Sequence, residues 1–195
     1  MNWKVVVFLL VLYGAYHSWH TRPVTHGDGV IAADTPQQSK IFNGNSQNIN
    51  GFQVTPLAAF SIQARVLSTE DYSFGREADL APVDLALGWG RMSDEAILKQ
   101  VKITQGNRFY FWHVDQFPIP REEIETHSAN MHMVPADSSV KKILKSLRPG
   151  QVVTIEGYLI EASAADGWRW RSSLTRDDTG SGACELVLVK SIHVS

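Results

Sequence analysis

Residues Val5 to Tyr16 read VVVFLLVLYGAY, an unbroken run without a charge, preceded by Lys4. Such a run must leave water, either into a protein core or into a bilayer. About a dozen residues is short for a spanning helix and typical of a secretory signal core. Two features argue against cleavage. Tyr16, His17, Ser18 and Trp19 offer no small-x-small site just after the run, and Val30-Ile31-Ala32 lies too far downstream. Aromatics also flank the run, Trp3 before it and Tyr13, Tyr16 and Trp19 towards its end. A helix from Trp3 to Trp19 covers roughly 24 Å, with its aromatic ends at the height of the interfaces. Lys4 on the leading side orients the N-terminus inward, and Arg22 weakens that asymmetry. The expectation is an uncleaved single-pass signal-anchor over residues 1–21. It would sit in the cytoplasmic membrane through Val5–Tyr16 and carry the rest of the chain to the periplasmic, extracytoplasmic side.

Residues 22–51 are rich in Thr, Gly, Asn, Gln and Ser, with Pro23 and Pro36, a GDG turn at Gly27–Gly29 and the stretch FNGNSQNING at Phe42–Gly51. Composition of this kind buries little, so the segment reads as a flexible linker holding a domain off the bilayer. His17, His20 and His26 near the membrane fit scattered interfacial histidines better than a weak metal site.

Residues 52–195 form the domain. Phe60, Ile62, Ala64 and Val66 alternate with Ser61, Gln63 and Arg65, which is strand periodicity. After LAPVDLALGWGRMSD, Ser93 is placed to cap a short helix with Asp94 and Glu95 in its first turn. Arg108 to Val114, dense in aromatics, reads as a strand, and Pro120 opens a second short helix. Asp137 caps a third, in which Val140, Ile143, Leu144 and Leu147 share one face while Lys141, Lys142, Lys145 and Arg148 take the other. Gln151–Ala162, Gly167–Thr175 and Ala183–His193 are further strands, joined by short loops that favour antiparallel hairpins, and Gly157 marks a bulge or coil. The fold class expected is α+β, mainly β: a small antiparallel barrel of about five strands, OB-like or SH3-like, with inserted short helices after an N-terminal transmembrane helix.

The blocks LALGWGRMSD (Leu85–Asp94), HSANMHMVPAD (His127–Asp137) and GWRWRSSLTRDDTGSGACE (Gly167–Glu185) resemble stretches of a family of uncharacterised bacterial envelope proteins that begin with one hydrophobic segment. The resemblance covers the anchor and most of the domain. It implies an envelope location and no activity, and it transfers no functional residue.

A net charge of -2 implies no basic surface for nucleic acid, and a single cysteine, Cys184, precludes an internal disulfide. Cys184 alternates with Leu186 and Leu188 and so points to their apolar side as a buried, inert thiol. His127, Asn130 and His132 lie beyond the second helix, where both imidazoles could converge on a ligand or metal with His113 or Asp84 as a third group. No standard zinc spacing is present, and a polar loop satisfying its own backbone explains the same residues. On a strand, Trp168 and Trp170 point one way and Arg169 and Arg171 the other, as a stacking strip and an anion strip, or as core and surface ion pairs. Asp178 begins a DTGS match to the aspartic-protease tripeptide, but only one strand follows it, and a hairpin turn rich in Asp and Gly explains the residues fully. Trp89, between Gly88 and Gly90, is either an exposed recognition loop or a plug over one barrel end.

The candidate ligand-binding set is therefore Trp89, His127, Asn130, His132, Arg169, Arg171 and Asp178; no catalytic residue, metal or cofactor is implied. With no complete catalytic constellation, the leading expectation is an envelope binding or scaffolding module. Its partners are the lipid bilayer and an envelope protein or small ligand. Behind it stand a hydrolase or metal-dependent enzyme on the His127/His132 loop, and an OB-type nucleic-acid binder.

Overall fold

The computed structural model describes residues 3–20, 22–41, 44–175 and 184–195. The protein is mainly β, one large sheet with short helices set around it. A helix α1 (Trp3–His20) comes first, with the apolar side chains of Val5, Phe8, Leu9, Leu10, Val11 and Leu12 exposed. Among the described residues no helix is long and apolar enough to cross a membrane.

The strands are β1 (Gln37–Lys40), β2 (Gln47–Ile49), β3 (Phe52–Asp71), β4 (Val83–Gly88), β5 (Lys102–Gly106), β6 (Phe109–His113), β7 (Ser128–Pro135), β8 (Val152–Ser163), β9 (Arg169–Arg171) and β10 (Glu185–Val194). The short helices are α2 (Arg76–Leu80), α3 (Glu95–Leu98), α4 (Arg121–Thr126) and α5 (Ser138–Leu144). The sheet runs β1-β3-β4-β7-β10-β8-β9, with β2 added to β3, and β8 also pairs with β3 over Gln53–Arg65. Among the described residues only β7 and β10 pair in parallel, a departure from the expected all-antiparallel arrangement. They are not neighbours in sequence, so the hairpin rule that short loops impose does not govern them.

The long strand β3 serves three partners because its register shifts twice, at Pro56/Ala58 against β8 and at Val66/Ser68 against β4. Each shift turns the strand's faces over. Val54 therefore joins one apolar cluster with Leu80, Ile160, Leu186 and Leu188. Ala58 to Val66 join the main core with Leu85, Trp89, Met131, Leu144, Ile155 and Val187, and Leu67 packs on a third cluster around Met92 and Ile124. The expected α5 is present: Asp137 accepts from the amides of Ser139 and Val140, and Val140, Leu144 and Leu147 are buried. The expected cap at Ser93 is displaced by one residue. Ser93 closes a 3-10 turn, and Asp94 caps α3 through the Ala96 amide. Cys184 is half-buried just ahead of β10 rather than enclosed. The irregularity expected at Gly157 falls on its partner, where β10 slips register between Val189 and Ser191.

Residues 22–51 depart furthest from expectation. Instead of a free spacer, much of the segment is fastened to the domain. Val24 N donates to Pro149 O at 2.8 Å, the His26 ring to Gly150 O at 2.7 Å, and Gly29 N to the Asp94 carboxylate at 2.9 Å. Ala32 is buried and accepts from Gly90 N, and β1 and β2 both pair with β3. Backbone pairing of this kind needs no apolar side chains, so a polar composition does not preclude it. Gly150 makes the closest of these approaches possible. Its φ is +91°, and a Cβ there would stand 1.8 Å from Val24 O.

Candidate functional site: a polar staple beneath an aromatic hairpin

The strand β4 is buried along its whole length, which leaves Asp84 as a carboxylate with no accessible surface in an otherwise apolar segment. A charge in that position requires partners. The register supplies the first: Asp84 lies directly opposite His132 on β7, and Asn130 faces the same side two pairs along. His132 Nδ1 is 3.0 Å from Asp84 Oδ1, within ion-pair distance but without the alignment of a hydrogen bond. Its ring rests on Trp170, centroids 4.8 Å apart.

The second partner comes from outside the sheet. β5 and β6 form a separate hairpin whose two turn residues, Asn107 and Arg108, both have positive φ, +53° and +70°. That is the two-residue turn whose twist suits a hairpin, built here without glycine at a cost of order 1–3 kcal/mol per strained residue. The strain is held by contacts. Arg108 donates from Nη1 to Asp84 Oδ1 at 2.7 Å and to Ala81 O at 2.8 Å, while its amide donates to the Tyr72 hydroxyl at 2.9 Å. The guanidinium stacks on the Tyr72 ring, 3.6 Å from its centroid. Burial, with the nearby Asp84 charge as a lesser contribution, raises the Tyr72 pKa and keeps the phenol protonated at neutral pH.

Two further ties fix the hairpin's inner face. Asn130 donates to Arg108 O at 3.0 Å and accepts from Gln105 Nε2 at 2.6 Å. The Ser128 hydroxyl donates to Ile124 O, so it accepts from the Tyr110 hydroxyl 3.0 Å away. Burial likewise raises the Tyr110 pKa. Ile103 and Trp112 pack beside them on the third apolar cluster.

The opposite face of the hairpin is open. Thr104 pairs with Phe111 and Gly106 with Phe109, so neither ring is covered by a large cross-strand neighbour. Phe109 is 41% exposed and Phe111 58%; Phe74, in the loop after β3 that also carries Tyr72, is 94% exposed. One small element thus has an inner face stapled by charge and an outer face showing phenylalanines.

The sequence-predicted residues divide accordingly. His132 and Asn130 come together through Asp84. Their segment, expected as a polar loop, is the buried strand β7, because the apolar Met131, Met133 and Val134 carry it into the sheet. His127 ends α4 elsewhere: its Nδ1 is 3.0 Å from Thr126 Oγ1, and its ring lies 6.4 Å from that of Trp89. His113 is exposed beside Asp115. Among the described residues no three His, Cys, Asp or Glu side chains group so as to hold a metal ion. Trp89 is a core side chain, 2% exposed, and so not an exposed recognition loop. On β9 the expected alternation holds: Trp168 and Trp170 pack inward on the second cluster, while Arg169 is exposed and Arg171 pairs with Glu161 at 2.7 Å. Asp178 lies outside the described residues. Arg108, Tyr72 and Gln105 were not anticipated, although an aspartate inside an apolar strand was the signal that such partners had to exist. Comparison with protein-family models, with curated proteins and with solved structures gives no match to this chain.

Proposed function

We propose that this chain is a membrane-anchored binding module of the cell envelope, with the β5–β6 hairpin as its recognition element. The anchor reading is supported by α1, on which Val5 and the run from Val7 to Leu12 are exposed. In it the helix spans the cytoplasmic membrane once, N-terminus inward, with the domain on the periplasmic side. An OB-like barrel is supported by the pairings: β3, β4, β7, β10 and β8 follow one another, and β8 returns to β3. Five strands in that order, with α5 between β7 and β8, have the connectivity of that fold.

OB-type barrels bind ligands on their second and third strands, which correspond here to β4 and β7. That face is covered by the chain's own hairpin, and the arginine that could hold a phosphate is committed to Asp84. Recognition therefore moves outward. The observation that carries the reading is the exposure of Phe109 and Phe111 on an element whose other face is rigidly held. Exposed aromatics on a preorganised support are the residues that dominate protein interfaces. The partner class is an envelope protein with an apolar groove.

The test places a photo-crosslinking residue at Phe111 in the full-length chain, within the cells that make it. A discrete protein adduct is expected, and it disappears when Phe109→Ser is added. Adducts to lipid alone, or a protein adduct indifferent to Phe109→Ser, would refute the proposal.

A further inference from the structure

We infer that the domain lies directly against the bilayer that holds α1, with the basic face of α5 set on anionic phospholipid headgroups. This rests on the anchor reading above and adds a surface to it. The argument begins with reach. α1 ends at His20, and Val24 is already hydrogen-bonded to Pro149. Four residues extend at most about 14 Å, so a helix embedded in lipid keeps the Pro149–Gly150 corner within that distance of its end. The close approach of Val24 to Gly150 and the His26 bond to Gly150 O seat the link at that corner.

The chain leading into the same corner is α5 and its C-terminal turn. Val140, Leu144 and Leu147 face the core, leaving Lys141, Lys142 and Lys145 exposed and Arg148 half-buried just before Pro149. Among the described residues, none of these four cations lies within ion-pair distance of a carboxylate. Acidic groups beside the link are instead committed. Glu95 pairs with Arg65, Asp28 with Lys99, and Asp94 holds the amides of Gly29 and Ala96. The positive charge of α5 and its C-terminal turn is therefore opposed only in part, by Asp71 near Lys145 and by Asp79 beside Lys141 and Lys145. Each basic residue close to an anionic membrane surface favours the docked state by roughly fivefold.

The experiment uses the full-length chain with Cys184→Ser and a fluorophore on Ser146→Cys. It is reconstituted in phosphatidylcholine vesicles with or without phosphatidylglycerol, each doped with headgroup-quencher lipid. Quenching is expected only with phosphatidylglycerol. It should fall to the phosphatidylcholine level at high salt, and also in the Lys141→Gln/Lys142→Gln/Lys145→Gln variant, whose folding is checked by near-UV circular dichroism. Flotation after an alkaline wash reports the anchor separately. Chain that floats but is quenched equally in both vesicles, or in neither, overturns the inference and leaves the anchor standing. Chain that does not float removes the anchor and the inference together.

Discussion

Replacing Arg108 with methionine tests the staple, because methionine keeps much of the stem and removes the charge. Asp84, with 1% of its side chain exposed, would then keep only His132 and the long Asn130 contact at 3.4 Å. Removing one member of a buried ion pair costs about 3–5 kcal/mol, since the other charge is left without compensation. Arg108 itself retains 18% exposure, which places the expected cost near the lower end, about 3 kcal/mol. Asp84→Leu is milder, about 2 kcal/mol, because Arg108 keeps the Ala81 carbonyl and can lean towards water. The double variant removes both charges together. It should therefore be more stable than the sum of the single losses implies, with a coupling of about 1.5–3 kcal/mol. Urea unfolding of the full-length chain in detergent, followed by tryptophan emission, measures all four corners of the cycle. Single losses below about 1 kcal/mol, or additivity within about 0.5 kcal/mol, would show that Asp84 is not held by Arg108.

Gly150→Ala should displace Val24 and its neighbours while the sheet stays folded, seen as loss of hydrogen-exchange protection at the Val24 amide. Acid should free the same segment. The Arg65 guanidinium, with the His26 amide, holds the Glu95 carboxyl below its ordinary range, and the Gly29 and Ala96 amides do the same for Asp94. A depressed folded-state pKa contributes stability that is complete above the unfolded value and is lost as pH falls through the folded one. Protection of the Gly29 amide is therefore expected to be complete at pH 6 and to begin to fall only below about pH 4, declining further as Asp94 is protonated. Trp89→Ala, which empties a fully enclosed indole site, should cost about 3–5 kcal/mol in the same unfolding assay. Phe109→Ser with Phe111→Ser should change stability by no more than about 1 kcal/mol in total; a larger loss would mean that these rings support the fold.

What the sequence made legible was local. The alternation in Phe60–Val66, the Asp137 cap with its apolar stripe, and the opposed Trp and Arg residues on β9 each depend on neighbours a few positions apart. What escaped was non-local or carried by the backbone. Gln37–Lys40 is polar and exposed, yet it pairs residue for residue with Ala58–Ser61, and no side-chain pattern encodes such pairing. Trp89 was ambiguous because flanking glycines suggest mobility, whereas the Gly90 amide is tied down by Ala32, 58 residues earlier in the chain. The candidate site was half visible: His132 and Asn130 were singled out for their chemistry, but Arg108 reaches Asp84 only because a strained turn points it there.

The hairpin also accounts for a feature of the sheet that alternation alone does not. β4, β7 and the first half of β10, Glu185 to Val189, are buried on both faces, yet the surface they share carries Asp84, Asn130 and His132 beside Leu186. An exposed sheet face would tolerate those polar side chains without further help. A face covered by packed apolar chain would not, unless the cover returned a charge and hydrogen bonds at matching positions. The hairpin returns Arg108 to Asp84 and Gln105 to Asn130, so sheet and cover are chemically complementary rather than merely adjacent. That complementarity sets the orientation of the whole element. With Gln105 and Tyr110 directed inward, strand alternation obliges Phe109 and Phe111 to face water, and the aromatic surface the hairpin exposes follows from the charges buried beneath it.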